Sequence, residues 1–235
     1  MEHLIAEGLA KMGLSPDAAP RLAEYGRLLL EKNQVMNLTA ITEPDKVARL
    51  HMLDSAALLT GVDFKHKTLL DVGTGAGFPG LPLKLVEPTI RLTLLDSLAK
   101  RVNWLAEVSA QLGAEDVTCL HARAEEQALK PGWRDCFDLV TSRAVADLSM
   151  LCELCLPYVK VGGLFLAMKS TDCDEELSRA AKGIALLGGQ LCPGFDYTIP
   201  GTDVTHRVVV LEKIKPTPKG YPRRFAKIQK EPLSN

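Results

Sequence analysis

The 235-residue chain lacks any apolar run approaching the ~18 residues that a membrane helix needs, so no membrane partner is expected. It lacks a secretory pattern at its start, where Glu2, His3 and Glu7 interrupt the first ten residues, and a cytoplasmic protein is expected. It lacks an excess of charge of either sign. The 28 basic and 29 acidic residues give a net charge of −1, so any nucleic-acid contact must come from a local patch. Internal repeats are absent, and 46% apolar with 24% charged residues excludes a disordered or fibrous chain. No long apolar face suggests a dimer, and a monomer is expected.

Six cysteines are present: Cys119, Cys136, Cys152, Cys155, Cys173 and Cys192. Without a leader they are expected as reduced thiols. Cys152 and Cys155 form a CxxC, but no second Cys or His pair follows at finger spacing. Their segment, Leu148 to Pro157, is apolar at helical spacing, so both sulfurs are expected as core filler.

Residues 1–60 carry helical periodicity and predict an N-terminal helical cap. Ser15-Pro16-Asp17 and Thr42-Glu43-Pro44-Asp45 are helix starts, Asn33 and Asn37 interrupt, and Gly61 ends the series. From residue 61 the pattern alternates. Strands are expected at Thr68–Val72, Ile90–Asp96, Val117–His121, Phe137–Thr141, Leu164–Met168, Leu191–Ile199 and Val204–Ile214, the fifth entered through a Gly162-Gly163 turn. Helices fall between the earlier ones. This alternation implies an α/β, Rossmann-like fold with a mostly parallel seven-stranded sheet. The last two strands have no room for a crossover helix and must form an antiparallel hairpin. Residues 61–215 would form this domain. Residues 216–235, with four prolines and several charges, would form an irregular basic tail.

The strongest local signal is Asp71-Val72-Gly73-Thr74-Gly75-Ala76-Gly77-Phe78-Pro79-Gly80, a glycine turn between a strand and a helix, where open α/β sheets bind ligands. Gly75, Gly77 and Gly80 match GxGxxG literally, with Asp96 about 20 residues on, so a nicotinamide-dependent oxidoreductase is one reading. A pyrophosphate, however, needs bare N–H groups and would be repelled by Asp71. The Asp71 carboxylate suits a ligand bearing an ammonium and a sulfonium, as S-adenosylmethionine does. Asp96, at the end of the next strand, can then accept two ribose hydroxyls.

Asp71 to Gly80, with Leu81-Pro82, Asp96-Ser97, Lys100-Arg101, Arg123-Ala124-Glu125 and Ser142-Arg143-Ala144, resembles the bacterial small-subunit ribosomal RNA guanine-N7 methyltransferases, also called the glucose-inhibited division protein B family. The likeness extends to Asn37-Leu38-Thr39-Ala40-Ile41, to His51-x-x-Asp54-Ser55, and to Tyr221-Pro222-Arg223 with Lys230-x-Pro232-Leu233. It departs at Lys169-Ser170, where the family usually has Lys-Gly. The resemblance implies a class I methyltransferase that uses S-adenosylmethionine on 16S rRNA, in the small ribosomal subunit or an assembly intermediate. It implies the guanine at position 527 as target, an address the residues themselves do not derive. Donor contacts would fall on Gly73, Phe78, Ala124, Glu125 and Arg143, with Asp96, Ser97 and Leu98 at the ribose and adenine edge; Asp71, Gly75 and Gly77 complete the site.

Guanine N7 has an in-plane lone pair and no proton, so attack on a sulfonium methyl needs no general base. Alignment and electrostatics should carry the rate. Arg143 and Lys169 are the candidates near the reacting atoms, while His121 and His206 are expected to be structural. Arg123, Arg207, Tyr221, Arg223 and Arg224 are the candidate RNA contacts. From Leu211 to Asn235, five Lys and two Arg face two Glu, with Tyr221 and Phe225 interleaved. Arg21, Arg27, Lys32, Lys46 and Arg49 form a weaker patch. A third reading is an RNA-binding assembly factor with a vestigial donor site.

Overall fold

The computed structural model describes residues 1–143 and 146–234. The chain begins with α1 (Glu2–Lys11), α2 (Ala19–Met36), α3 (Pro44–Val47) and α4 (Asp54–Ala56), the last two joined by a π turn at Ala48–Leu53. Then follow β1 (Thr68–Val72), α5 (Gly80–Val86), β2 (Arg91–Asp96), α6 (Ala99–Gln111), β3 (Val117–His121), α7 (Ala124–Gln127) and β4 (Phe137–Ser142). The remainder is α8 (Leu148–Cys155), β5 (Val159–Ser170), α9 (Asp174–Leu186), β6 (Gly189–Thr198), β7 (Thr205–Lys213) and α10 (Phe225–Lys230).

The seven strands form one sheet in the order β3-β2-β1-β4-β5-β7-β6. The first five are parallel, while β7 runs antiparallel to both β5 and β6. Side-chain alternation splits the core in two. Leu69, Leu92, Leu94, Leu139, Leu166, Val208 and Val210 pack with Ile5, Leu9, Leu22, Tyr25 and Met52 of the N-terminal helices. Leu70, Leu95, Val140, Phe165, Val209 and Leu211 pack on the opposite face with Leu151, Cys152, Cys155, Tyr158 and Ile184. The boundary at residue 60 therefore marks a change of element type within one continuous core.

Two local expectations change. Gly162-Gly163 does not end a turn before the fifth strand; it lies inside β5, which starts at Val159. A Cβ on Gly163 would meet the Asp138 carbonyl at 2.6 Å, and the β4–β5 register shifts between Phe137 and Leu139, so the glycines serve a bulge. Nor is the tail irregular throughout. Arg134 donates to the carbonyls of Thr217, Pro218 and Tyr221, and Ile228 of α10 is fully buried. Cys152 and Cys155 are fully buried, and burial pushes both thiols far up in pKa, which suits core packing. No helix among the described residues is long and apolar enough to cross a membrane.

Candidate active site

The parallel strands bring the ends of β1, β2 and β4 to one edge, and the glycine turn follows β1 there. Asp71 is fully buried. Its Oδ2 accepts from Thr74 Oγ1 at 2.7 Å and from the Gly80 N–H at 2.9 Å. Its Oδ1 has no partner among the described residues. Burial pushes Asp71 up to about 6, against the pull of Thr74, Gly80 and Arg143.

Gly73 sits at φ +69°, and a Cβ there would project into open space. Gly77, at φ +91°, is the opposite case: a Cβ would strike the Tyr25 hydroxyl at 2.4 Å. Tyr25 donates to the Ala76 carbonyl, so α2 seats the turn from beneath. Asp96 is nearly buried and receives the Gly75 N–H on Oδ2 and the Leu98 N–H on Oδ1, both at 2.9 Å. Ser97 and Leu98 beside it are exposed. Glu125 is buried and accepts from Arg123 Nε at 2.7 Å, while the Ala124 carbonyl accepts from the Tyr158 hydroxyl at 2.6 Å.

These contacts also test the two ligands the turn could take. The N–H groups of Gly75 and Gly80, which a pyrophosphate would need, are held by the carboxylates of Asp96 and Asp71. The orphaned Asp71 Oδ1, the open space at Gly73 and the Asp96 carboxylate fit a cationic nucleoside instead. The dinucleotide reading fails on this ground.

Arg143, at the end of β4, is held by the π turn and Asp54. Its Nη1 donates to the Leu50 carbonyl at 3.1 Å and to Asp54 Oδ2 at 3.0 Å, and its Nη2 lies 3.1 Å from His51 Nδ1. The guanidinium stands 4.9 Å over the Phe78 ring, which stacks on His51 at 4.5 Å and on Tyr25 at 5.4 Å. Phe78 is thus packed in an aromatic stack, 5% exposed. Ala144, which the resemblance includes, lies outside the described residues.

Asp54 is the hub that sequence reasoning missed. Its Oδ1 accepts from the Tyr197 hydroxyl and from His206 Nδ1, both at 2.8 Å. Burial opposes its ionisation, but His206, Arg143 and Tyr197 together hold it below the ordinary carboxylate range. The bond to Asp54 in turn raises His206. The only local signal was the His51–Asp54 spacing, which puts both on one helix face. Tyr197 and His206 come from β6 and β7, and no local pattern announces them.

A cavity of about 340 Å³ lies beside this hub, lined by Asp54, Arg143, Met168, Lys169, Ser170, Glu176 and His206. Lys169 Nζ donates to Glu176 Oε2 at 2.6 Å and to the Ala146 carbonyl at 3.1 Å.

The candidate RNA contacts are dispersed. Arg207 is paired with Asp196 and Asp174, each at 2.7–2.8 Å, and Arg123 stacks on Phe225 at 4.7 Å besides holding Glu125. Arg223 makes a two-pronged pair with Glu153, which is fully buried. That geometry serves to fasten the tail. The Tyr221 carbonyl accepts from Arg134, and Arg224 remains exposed. In the weaker patch Arg27, Lys46 and Lys32 face carboxylates, Arg21 donates to the Leu85 carbonyl and Arg49 to that of Gly201.

The family described as rRNA small subunit methyltransferase G matches residues 18–192. The chain is 45% identical over 233 residues to the ribosomal RNA small subunit methyltransferase G of Alkaliphilus metalliredigens (strain QYMF), covering 98% of each chain. It is 46% identical over 230 residues to the protein of the same name from Lachnoclostridium phytofermentans, covering 97% of this chain and 95% of that one. Among solved structures, TrmN from Thermus thermophilus aligns with a TM-score of 0.51 at 24% identity, over 68% of this chain and 48% of its own. A SAM dependent methyltransferase from Aquifex aeolicus aligns with a TM-score of 0.51 at 19% identity, over 72% and 94%. These two share the fold. With a glycine turn shaped for a cationic nucleoside and relatives matched from end to end, the chain belongs to the rRNA small subunit methyltransferase G family.

Proposed function

We propose that this rRNA methyltransferase transfers the methyl group of S-adenosylmethionine to N7 of a guanine in 16S rRNA, the guanine at position 527 by family resemblance. The observation that carries the donor assignment is the Asp71 oxygen without a partner beneath an open glycine turn, with the Asp96 carboxylate on the next strand.

When bound, the donor supplies a methyl group on a positively charged sulfur. Asp71 offers an anionic oxygen to its cationic end, and Asp96 offers remaining lone pairs to ribose hydroxyls. Gly73 leaves room for close approach. Glu125 and the exposed Ser97 and Leu98 border the adenine side. Arg143 is locked by Leu50, Asp54 and His51, so it can hold a fixed position against donor or acceptor without reorganisation. The acceptor nitrogen has no proton to lose, so none of these groups needs to act as a base. Their work is alignment of nitrogen, methyl carbon and sulfur. Exposed Arg224, Lys227 and Lys230 near α10 supply phosphate attraction.

The test is to incubate the protein with labelled S-adenosylmethionine and small ribosomal subunits from cells lacking the activity, then map the label. Label on N7 of one guanine supports the reading. Donor binding without transfer to any ribosomal substrate would support the assembly-factor alternative instead.

A further inference from the structure

Chemistry on a nucleobase requires taking the base out of its stack and into a pocket that reads its Watson–Crick edge. The cavity beside Asp54 has the size of a small-molecule site, roughly 300–1,000 Å³ being typical. It also has the right place. The sheet order sets β2 and β1, which carry Asp96 and Asp71, on one side of β4, and β5 and β7, which carry Lys169 and His206, on the other. Arg143, at the end of β4, lines the cavity between the two halves.

Two carboxylates line this cavity. Both oxygens of Asp54 are committed, one to Arg143 and the other to Tyr197 and His206. Glu176 is different. Its Oε2 takes Lys169 Nζ and the Leu148 N–H, and among the described residues no donor is bonded to its Oε1. Lys169 spends two of its three donors, on Glu176 and the Ala146 carbonyl. The pair therefore presents one free donor beside one free anionic acceptor.

We infer that Lys169 and Glu176 form the guanine-reading edge of this cavity, Lys169 donating to O6 and Glu176 accepting from N1–H and the 2-amino group. The inference rests on the guanine-N7 reading above and adds the residue that selects the base. Guanine offers O6 as acceptor next to N1–H as donor, the complement of the pair. Adenine offers a 6-amino donor next to an N1 acceptor, which would set donor against donor and lone pair against carboxylate. Gripping this edge leaves N7 uncovered, as methylation there requires. Met168 supplies an apolar wall, and the Asp54 hub holds Arg143 and His206 in fixed positions at the rim.

The experiment compares wild type and Glu176→Gln on small subunits reconstituted with guanine or 2-aminopurine at the target position. 2-Aminopurine keeps N7 and the 2-amino group but lacks O6 and N1–H. Binding of S-adenosylhomocysteine is measured alongside. Wild type is expected to lose about tenfold or more in kcat/KM on 2-aminopurine, since a good paired contact discriminates by about that much. Glu176→Gln is expected to lose about as much on guanine, to keep only the part of the 2-aminopurine penalty that the lost contact between Lys169 and O6 carries, and to bind S-adenosylhomocysteine within about twofold of wild type. A full 2-aminopurine penalty persisting in Glu176→Gln, or unchanged activity on guanine, would overturn the inference. If Glu176→Gln proves poorly folded, Glu176→Asp carries the same comparison, because it keeps the charge but withdraws it from the cavity. Borohydride and aniline cleavage of the wild-type product keeps the two readings apart: a methyl group found away from guanine N7 sinks the parent reading, whereas N7 methylation with an unaltered penalty sinks this one alone.

Discussion

His51 Nδ1 accepts a hydrogen bond from Arg143 at 3.1 Å, because a guanidinium can only donate. The imidazole must therefore be neutral and carry its proton on Nε2, which meets Thr39 Oγ1 at 2.8 Å. Burial, then the Arg143 charge, push His51 down to about 4. The unfolded chain binds the proton more readily, so between about pH 4 and 6.5 stability rises with pH. From pH 7 to 5 this group withdraws about 2 kcal/mol. Asp71 works in the other direction. Its native pKa is raised to about 6, so its contribution is complete below 3.8 and is lost as pH rises through 6. It returns about 1 kcal/mol over the same two units. Urea midpoints at pH 5 and 7 should therefore differ modestly in the wild type. The drop on acidification should be larger in Asp71→Asn and smaller in His51→Gln.

Asp71→Asn should also separate stability from donor binding. The amide oxygen can still accept from Thr74 and Gly80, so the turn should survive and the melting temperature should hold or rise. The missing charge should weaken S-adenosylmethionine binding by about tenfold or more, an expectation calorimetry can check.

Gly73 and Gly77 predict opposite effects of one substitution. Gly77→Ala drives a methyl group into the Tyr25 hydroxyl at a left-handed backbone position and should cost about 1–3 kcal/mol of stability. Gly73→Ala meets open space, so its stability loss is confined to backbone strain, of order 1 kcal/mol. Its larger effect should be on donor affinity, because the new methyl group projects into the crevice. Chemical denaturation paired with ligand titration distinguishes the two.

In the tail, Arg223→Ala strands the buried Glu153 carboxylate and should cost about 3–5 kcal/mol. Arg224→Ala, on an exposed side chain, should leave stability within about 0.5 kcal/mol. It should instead weaken binding to rRNA and lower the salt slope by about 1. Equal melting temperatures for the two variants would refute this division of roles.

Local chemistry determined a large part of this molecule. The runs Thr68-Leu69-Leu70 and Leu92-Thr93-Leu94-Leu95 predict strands because apolar residues must be buried on both faces of a parallel sheet, and the structure places them so. The glycine turn and the two aspartates were legible because their spacing is a property of one strand-turn-helix unit. The short room between the last strands required a hairpin. What the sequence alone could not rank was any pairing across the sheet. Arg143 finds His51 and Asp54 about ninety positions away, Asp54 finds Tyr197 and His206 farther still, and Arg223 finds Glu153 beneath the tail. One arginine or histidine in a charged sequence has many equivalent partners on paper. Only strand order decides which of them is buried beside it, and burial is what makes the choice count, because a desolvated charge must be met by its complement.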